Sequence, residues 1–214
     1  MSDSAVGPEG SVNDRAPSPS RRRLVVSLAA GAAVIGAGAL GLRHALRFAP
    51  DTTPEGAYER IAYALARGEP RDVFAYLEDA AQHACFTIRD YRAKSLALVE
   101  ASYPEAEREK LVESYRELAS APDGADVWVL FAEQRGFAKR LRRDLSGIAR
   151  VEIDGERATI ETVRGTRYPF RRREVGIWGL ALFTAELVAE AERAARDHEL
   201  VEIAARDYRG AAER

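Results

Sequence analysis

The sequence predicts an α+β protein: N-terminal helices packed on a four-stranded antiparallel meander, a long C-terminal helix, and ahead of them a single membrane-spanning or signal helix. Three observations predict it. Apolar residues recur at helical spacing from Tyr58 to Leu145, the period drops to two after Ser146, and a helical stripe returns from Leu187 to Tyr208. Separately, Leu24 to Leu42 contains no charged residue.

In chain order, residues 1–20 read as a disordered cytoplasmic leader, 21–42 as a basic flank followed by the transmembrane or signal segment, 43–52 as a linker, and 53–214 as an exported α+β domain. The charge-free run is about 19 residues, which at a helical rise of about 1.5 Å approaches the roughly 30 Å of a bilayer's hydrocarbon core. Gly36, Gly38 and Gly41 spell G-x-G-x-x-G inside it. A dinucleotide fold would need a strand before those glycines and an acid presented by a second strand about 20 residues on. Here Asp51 and Glu55 fall in a Pro/Thr turn with no strand to carry them, so no nucleotide cofactor is expected. Arg15 and Arg21 to Arg23 outweigh Arg43 and Arg47, which keeps the N-terminus cytoplasmic and places the body across a bacterial inner membrane, in the periplasm.

The stretch Ser20 to Val25, SRRRLV, resembles the twin-arginine export signal, with Arg21 and Arg22 as its pair. Ala37-Gly38-Ala39 offers a small-x-small cleavage exit, so an uncleaved anchor and a cleaved signal both remain open.

In the body, Thr53 is placed as N-cap, Pro54 as first helical residue and Glu55 in the first turn, with Tyr58, Ile61 and Leu65 on one face and Gly68 as the stop. A second helix starts at Pro70 and carries Val73, Phe74 and Leu77. Residues 81–102 read helical through Cys85, Ile88, Leu96 and Val99, and the run from Pro104 is amphipathic with acids in its first turn. A loop at Pro122 to Gly124 leads into one helical run from Val127 to Leu145. Strands then follow around turns at Asp154-Gly155, Arg164-Gly165 and Gly176, the last strand being IWGLALF. Pro169 between Tyr168 and Phe170 predicts an edge strand or a bulge. The final helix, from Ala185, carries Leu187, Ala191, Ala194, His198, Val201, Ala205 and Tyr208 in a stripe whose simplest partner is one face of the sheet.

Composition narrows the function. The single cysteine, Cys85, excludes an intrachain disulfide framework, and no metal-ligand spacing such as Cys-x-x-Cys or His-Glu-x-x-His occurs, so no metal site is expected. The net charge of −2 hides an asymmetry: residues 137–173 hold eleven Lys/Arg against five acids. Lys139, Arg140, Arg142 and Arg143, with Arg171, Arg172 and Arg173, form a candidate patch for an anionic partner. After export that partner would be anionic lipid, an envelope polymer or an envelope protein rather than nucleic acid.

The helix TPEGAYERIAYALARGEPRDVFAYL and the later GERATIETVRGTRYPFRRREVGIWGL resemble the pattern of exported bacterial members of the nuclear transport factor 2-like superfamily, through Pro54, Glu55, Gly68, Asp72, Ala158, Gly176 and Trp178. The resemblance implies a helix-backed curved sheet with a cone-like cavity, in a superfamily whose members mostly bind ligands or proteins. Its enzymes use Asp or His in the cavity for proton transfer, which makes His83, Asp90 and His198, with Tyr91, the catalytic candidates. Cys85 and His83 are two apart on a helix and point about 200° apart, so they do not form a nucleophile pair. The expected function is a membrane-anchored, exported, non-catalytic binding or scaffolding module; the alternative is a cavity enzyme of the same fold using those His and Asp side chains.

Overall fold

Gly56 N–H donates to Thr53 Oγ1 at 3.2 Å, so the cap expected at Thr53 opens helix α1 (Pro54–Arg67), which Gly68 ends. The structure is a computed structural model that describes residues 48–213. These lie within one compact unit, Phe48–Arg214. The segment read as leader and membrane or signal helix falls outside the described residues, and so do Arg21, Arg22 and the glycine motif. Among the described residues no helix is long and apolar enough to cross a membrane.

The short α2 (Pro70–Val73) and a 3-10 turn (Phe74–Tyr76) lead into α3 (Asp79–Ser102), followed by α4 (Glu105–Ala119). The run expected as one helix over 127–145 is two, α5 (Gly124–Gln134) and α6 (Phe137–Asp144). The break is Gly136 at φ 69°, a left-handed conformation that costs glycine little and that periodicity does not register. It turns Phe137 inward to stack on Phe183, with ring centroids 4.3 Å apart, and leaves the basic face of α6 outside.

Four strands follow as an antiparallel meander in the order β1-β2-β3-β4: β1 (Ile148–Asp154), β2 (Arg157–Thr162), β3 (Arg167–Arg172) and β4 (Trp178–Leu180). The last strand is shorter than expected, because residues 181–183 turn into α7 (Thr184–Ala212). Pro169 is neither on an edge strand nor in a bulge; it pairs with Thr159 inside the sheet. Its carbonyl faces the β4 side, accepting from Ala181 N at 2.9 Å, so its missing N–H also falls there, just where β4 has ended. Beyond β4, Glu78 N donates to Leu180 O at 3.2 Å. That approach requires Gly179, where a Cβ would sit 2.7 Å from the Glu78 Cα.

The sheet's inner face, with Ala158, Ile160, Tyr168, Phe170 and Leu180, packs against α1 and against Trp128, Phe137 and Phe183 in the main core. Its outer face alternates Arg150, Glu152, Arg157, Glu161, Arg167 and Arg171 toward solvent.

The last helix differs from expectation in its partner. It lies along α3 rather than on the sheet. The partner numbers rise together: Arg92 with Asp197, Ser95 with His198, Tyr103 with Val201, so the two helices run parallel. The 29 residues of α7 span about 44 Å and the 24 of α3 about 36 Å. A parallel pair needs a long return connection, which α4 to β4 supply.

Candidate functional site

The α3–α7 pair buries two separate apolar clusters. At the sheet end, Ile88 and Leu187 belong to the main core; at the far end Val99, Tyr103, Val112, Tyr115, Val201 and Ala205 form a second one. Between them lies a polar belt made of Arg92, Ser95, Glu190 and His198, all buried, with Asp197 at its rim. It is where the fold concentrates buried ionisable groups.

Glu190, with a side chain only 7% exposed, receives Arg135 Nη2 and Arg193 Nη1, each at 2.5 Å, and has Arg92 Nη2 at 3.7 Å. Arg92 donates to Asp197 Oδ2 at 2.7 Å and lies over the Tyr115 ring at 4.9 Å. Each buried charge therefore has an opposite partner, the condition for tolerating it away from water.

Ser95 Oγ shares a 3.1 Å hydrogen bond with His198 Nδ1, and His198 Nε2 lies 3.5 Å from Glu202 Oε1. A serine, a histidine and a carboxylate in sequence have the connectivity of a nucleophile with its base and orienting acid. Two features oppose that chemistry. Ser95 is 0% exposed, and its place in the middle of α3 commits the neighbouring backbone N–H groups to the helix, leaving no donors for an oxyanion. The contact instead fixes the register of the two helices, with Tyr91 against the His198 ring at 5.4 Å.

His83 and Asp90 do not join His198. His83 is exposed near the start of α3, twelve residues from Ser95 and so about 18 Å along the axis. Asp90 is exposed and pairs with its neighbour Arg89 at 3.0 Å. Cys85 is fully buried in the main core, and burial pushes its thiol up to about 12, which removes thiolate chemistry at neutral pH.

The seven basic candidates are spread over α6, β3 and, just past its end, Arg173. Arg143 lies at the β2–β3 turn, where its carbonyl accepts from Arg164 Nη1 at 2.6 Å. Arg172 lies at the other end of β3, its N–H donating to Glu156 O at 2.8 Å. The length of β3, about 17 Å, separates these ends. Several are already engaged: Arg140 with Glu186 at 3.5 Å, Arg143 with Asp144 at 2.7 Å, and Arg171 with Glu78 at 3.5 Å. Lys139, Arg142 and Arg172 make no ion pair among the described residues.

Arg173 is a tether between the sheet and α3. It is 12% exposed and donates to Asp79 Oδ1 at 2.6 Å, Ala75 O at 2.6 Å and Gln82 Oε1 at 3.1 Å. Burial would raise the Asp79 carboxyl, but Arg173 and the Glu174 N–H together hold it below its ordinary range. Arg173→Ala is expected to cost about 2 kcal/mol at pH 7, the scale of lost charge-assisted hydrogen bonds. Because the folded carboxyl titrates below the unfolded one, the gap between wild type and variant should be full above about pH 4 and shrink as pH falls through the folded value. Urea titrations from pH 7 to pH 3 measure it; a gap that widens in acid would contradict the assignment.

The fold and this belt define a class: an α+β domain whose buried polar groups join two parallel helices. Comparison with family models, with curated proteins and with solved structures gives no match. Among the described residues no three His, Cys, Asp or Glu side chains come together to hold a metal ion. Sequence reasoning singled out His198 but missed Arg92, Ser95 and Glu190. The available signal was Arg92 and Ser95 interrupting the apolar positions between Ile88 and Val99.

Proposed function

We propose that this chain is an envelope protein held at, or exported across, a bacterial inner membrane by its charge-free segment, with a body that acts as a non-catalytic binding or scaffolding module. The observation that carries the non-catalytic part is the burial of Ser95: among the described residues the serine–histidine pair lies between two helices with Ser95 0% exposed. The location rests on the 19-residue apolar run behind Arg21 to Arg23.

Two measurements test the reading. Protease should reach the body in spheroplasts but not in intact cells. Arg21→Lys with Arg22→Lys abolishes export if the signal is of twin-arginine type and leaves it intact for a simple anchor, while Gly36→Leu with Gly38→Leu preserves or strengthens membrane association. A body that stays cytoplasmic in the wild type overturns the location. Incubation with a fluorophosphonate, which labels activated serines, should leave the chain unmodified; labelling lost in Ser95→Ala would make it an enzyme.

A further inference from the structure

The open edge of the sheet is β1. Among the described residues no strand pairs with its outer side, whereas the opposite edge, β4, is covered by the Leu77–Glu78 segment. Backbone direction along β1 follows from its hairpin. Asp154 pairs with Arg157 across a two-residue turn, which makes them a hydrogen-bonded pair, so Asp154, Glu152 and Arg150 direct their N–H and C=O groups to β2. The other side of β2 agrees: Glu156 O accepts from Arg172, and Thr162 N donates to Thr166 O, so even-numbered residues of that hairpin face β3 and odd-numbered ones face β1. Val151 and Ile153 therefore present their backbone groups outward. The side chain of Ile153 is 59% exposed although it lies on the core-facing side of the sheet, opposite Ala158.

We infer that β1 pairs with β1 of a second copy of this chain, antiparallel and centred on Val151, to join two sheets of four strands into one. The charges select both partner and register. Centred on Val151, Arg150 stands opposite Glu152 of the copy, and Glu152 opposite its Arg150, in the closely spaced type of pair where side chains interact most. Centring on Glu152 or on Arg150 sets like charges directly against each other, and centring on Ile153 sets Glu152 against Asp154. Only the Val151 register is complementary. Val151 then exchanges two backbone hydrogen bonds with its copy, and Ile153 gains a neighbour on its exposed side. The bulge between Ile148 and Arg150 interrupts the strand's register on one side, which keeps the pairing short, and the two-fold axis with the covered β4 edge closes the assembly at two copies.

The test uses the full chain in mild detergent. Sedimentation velocity should show a dimer for the wild type. Arg150→Glu, which opposes two acids across the axis, should weaken it at least tenfold, and adding Glu152→Arg should restore it, a recovery that a purely structural defect would not show. Val151→Pro removes one outward N–H on an edge strand and should give a monomer with unchanged helical circular dichroism. Cys85 is sealed, so a short bismaleimide should join copies of Val151→Cys and of no other single-cysteine variant at 150–154 more efficiently. A wild-type monomer overturns the inference. So does a dimer that survives Val151→Pro without cross-linking at 151, which would assign association to the segment over 24–42, and so does strongest cross-linking at 152.

Discussion

Trp128→Ala is expected to lower the stability of the Phe48–Arg214 unit by about 4 kcal/mol, the upper part of the range for truncating a large buried aromatic. Trp128 is 0% exposed, and its ring lies 5.9 Å from Phe137 and 5.7 Å from Phe183. Its indole Nε1 donates to Pro70 O at 2.8 Å. The alanine variant leaves a cavity where α5, α6 and the start of α7 meet, and it strands the Pro70 carbonyl. Trp128→Phe keeps most of the packing and loses the hydrogen bond, so its cost should be about 1.5 kcal/mol. Urea midpoints at constant slope measure both. Equal costs for the two variants would mean that the hydrogen bond, not the volume, dominates.

Glu190→Leu should cost about 3 kcal/mol, because removing one member of a buried charge network leaves the others uncompensated. Arg135 and Arg193 can turn to solvent, with side chains 37% and 56% exposed, but Arg92 at 8% cannot and is left with Asp197 alone. A double variant, Glu190→Leu with Arg92→Met, should recover much of the loss, since an apolar belt of similar volume joins the two existing clusters. Thermal unfolding of the two singles and the double forms a cycle whose coupling energy should be clearly non-zero. If the singles add, Glu190 does not act through Arg92.

The proposed β1 pairing should persist in the double variant, because among the described residues Arg150 and Glu152 pair with each other, and Glu152 with Arg167, rather than with Arg92 or Glu190.

The elements that the sequence made legible are those specified by neighbours in the chain. Thr53, Pro54 and Gly68 bracket α1 by satisfying its own terminal groups, and Asp154-Gly155 sets the β1–β2 turn by local dihedral preference. The stripe from Leu187 to Ala205 identified a helix with one buried face for the same reason: helical spacing is a property of a few turns. What lies opposite that face is not local. Only the folded molecule set α7 on α3 instead of the sheet, because the sheet's inner face was already occupied by α1 and the core aromatics, and Arg92 and Glu190 could be buried only where Asp197, Arg135 and Arg193 reach them as well. The break at Gly136 and the tolerance of Pro169 were decided in the same way, by where Phe137 could pack and where β4 stopped. Local chemistry determined which segments became helix, strand and turn; the competition among apolar faces for a limited buried volume, with every buried charge needing a partner, decided which faces met.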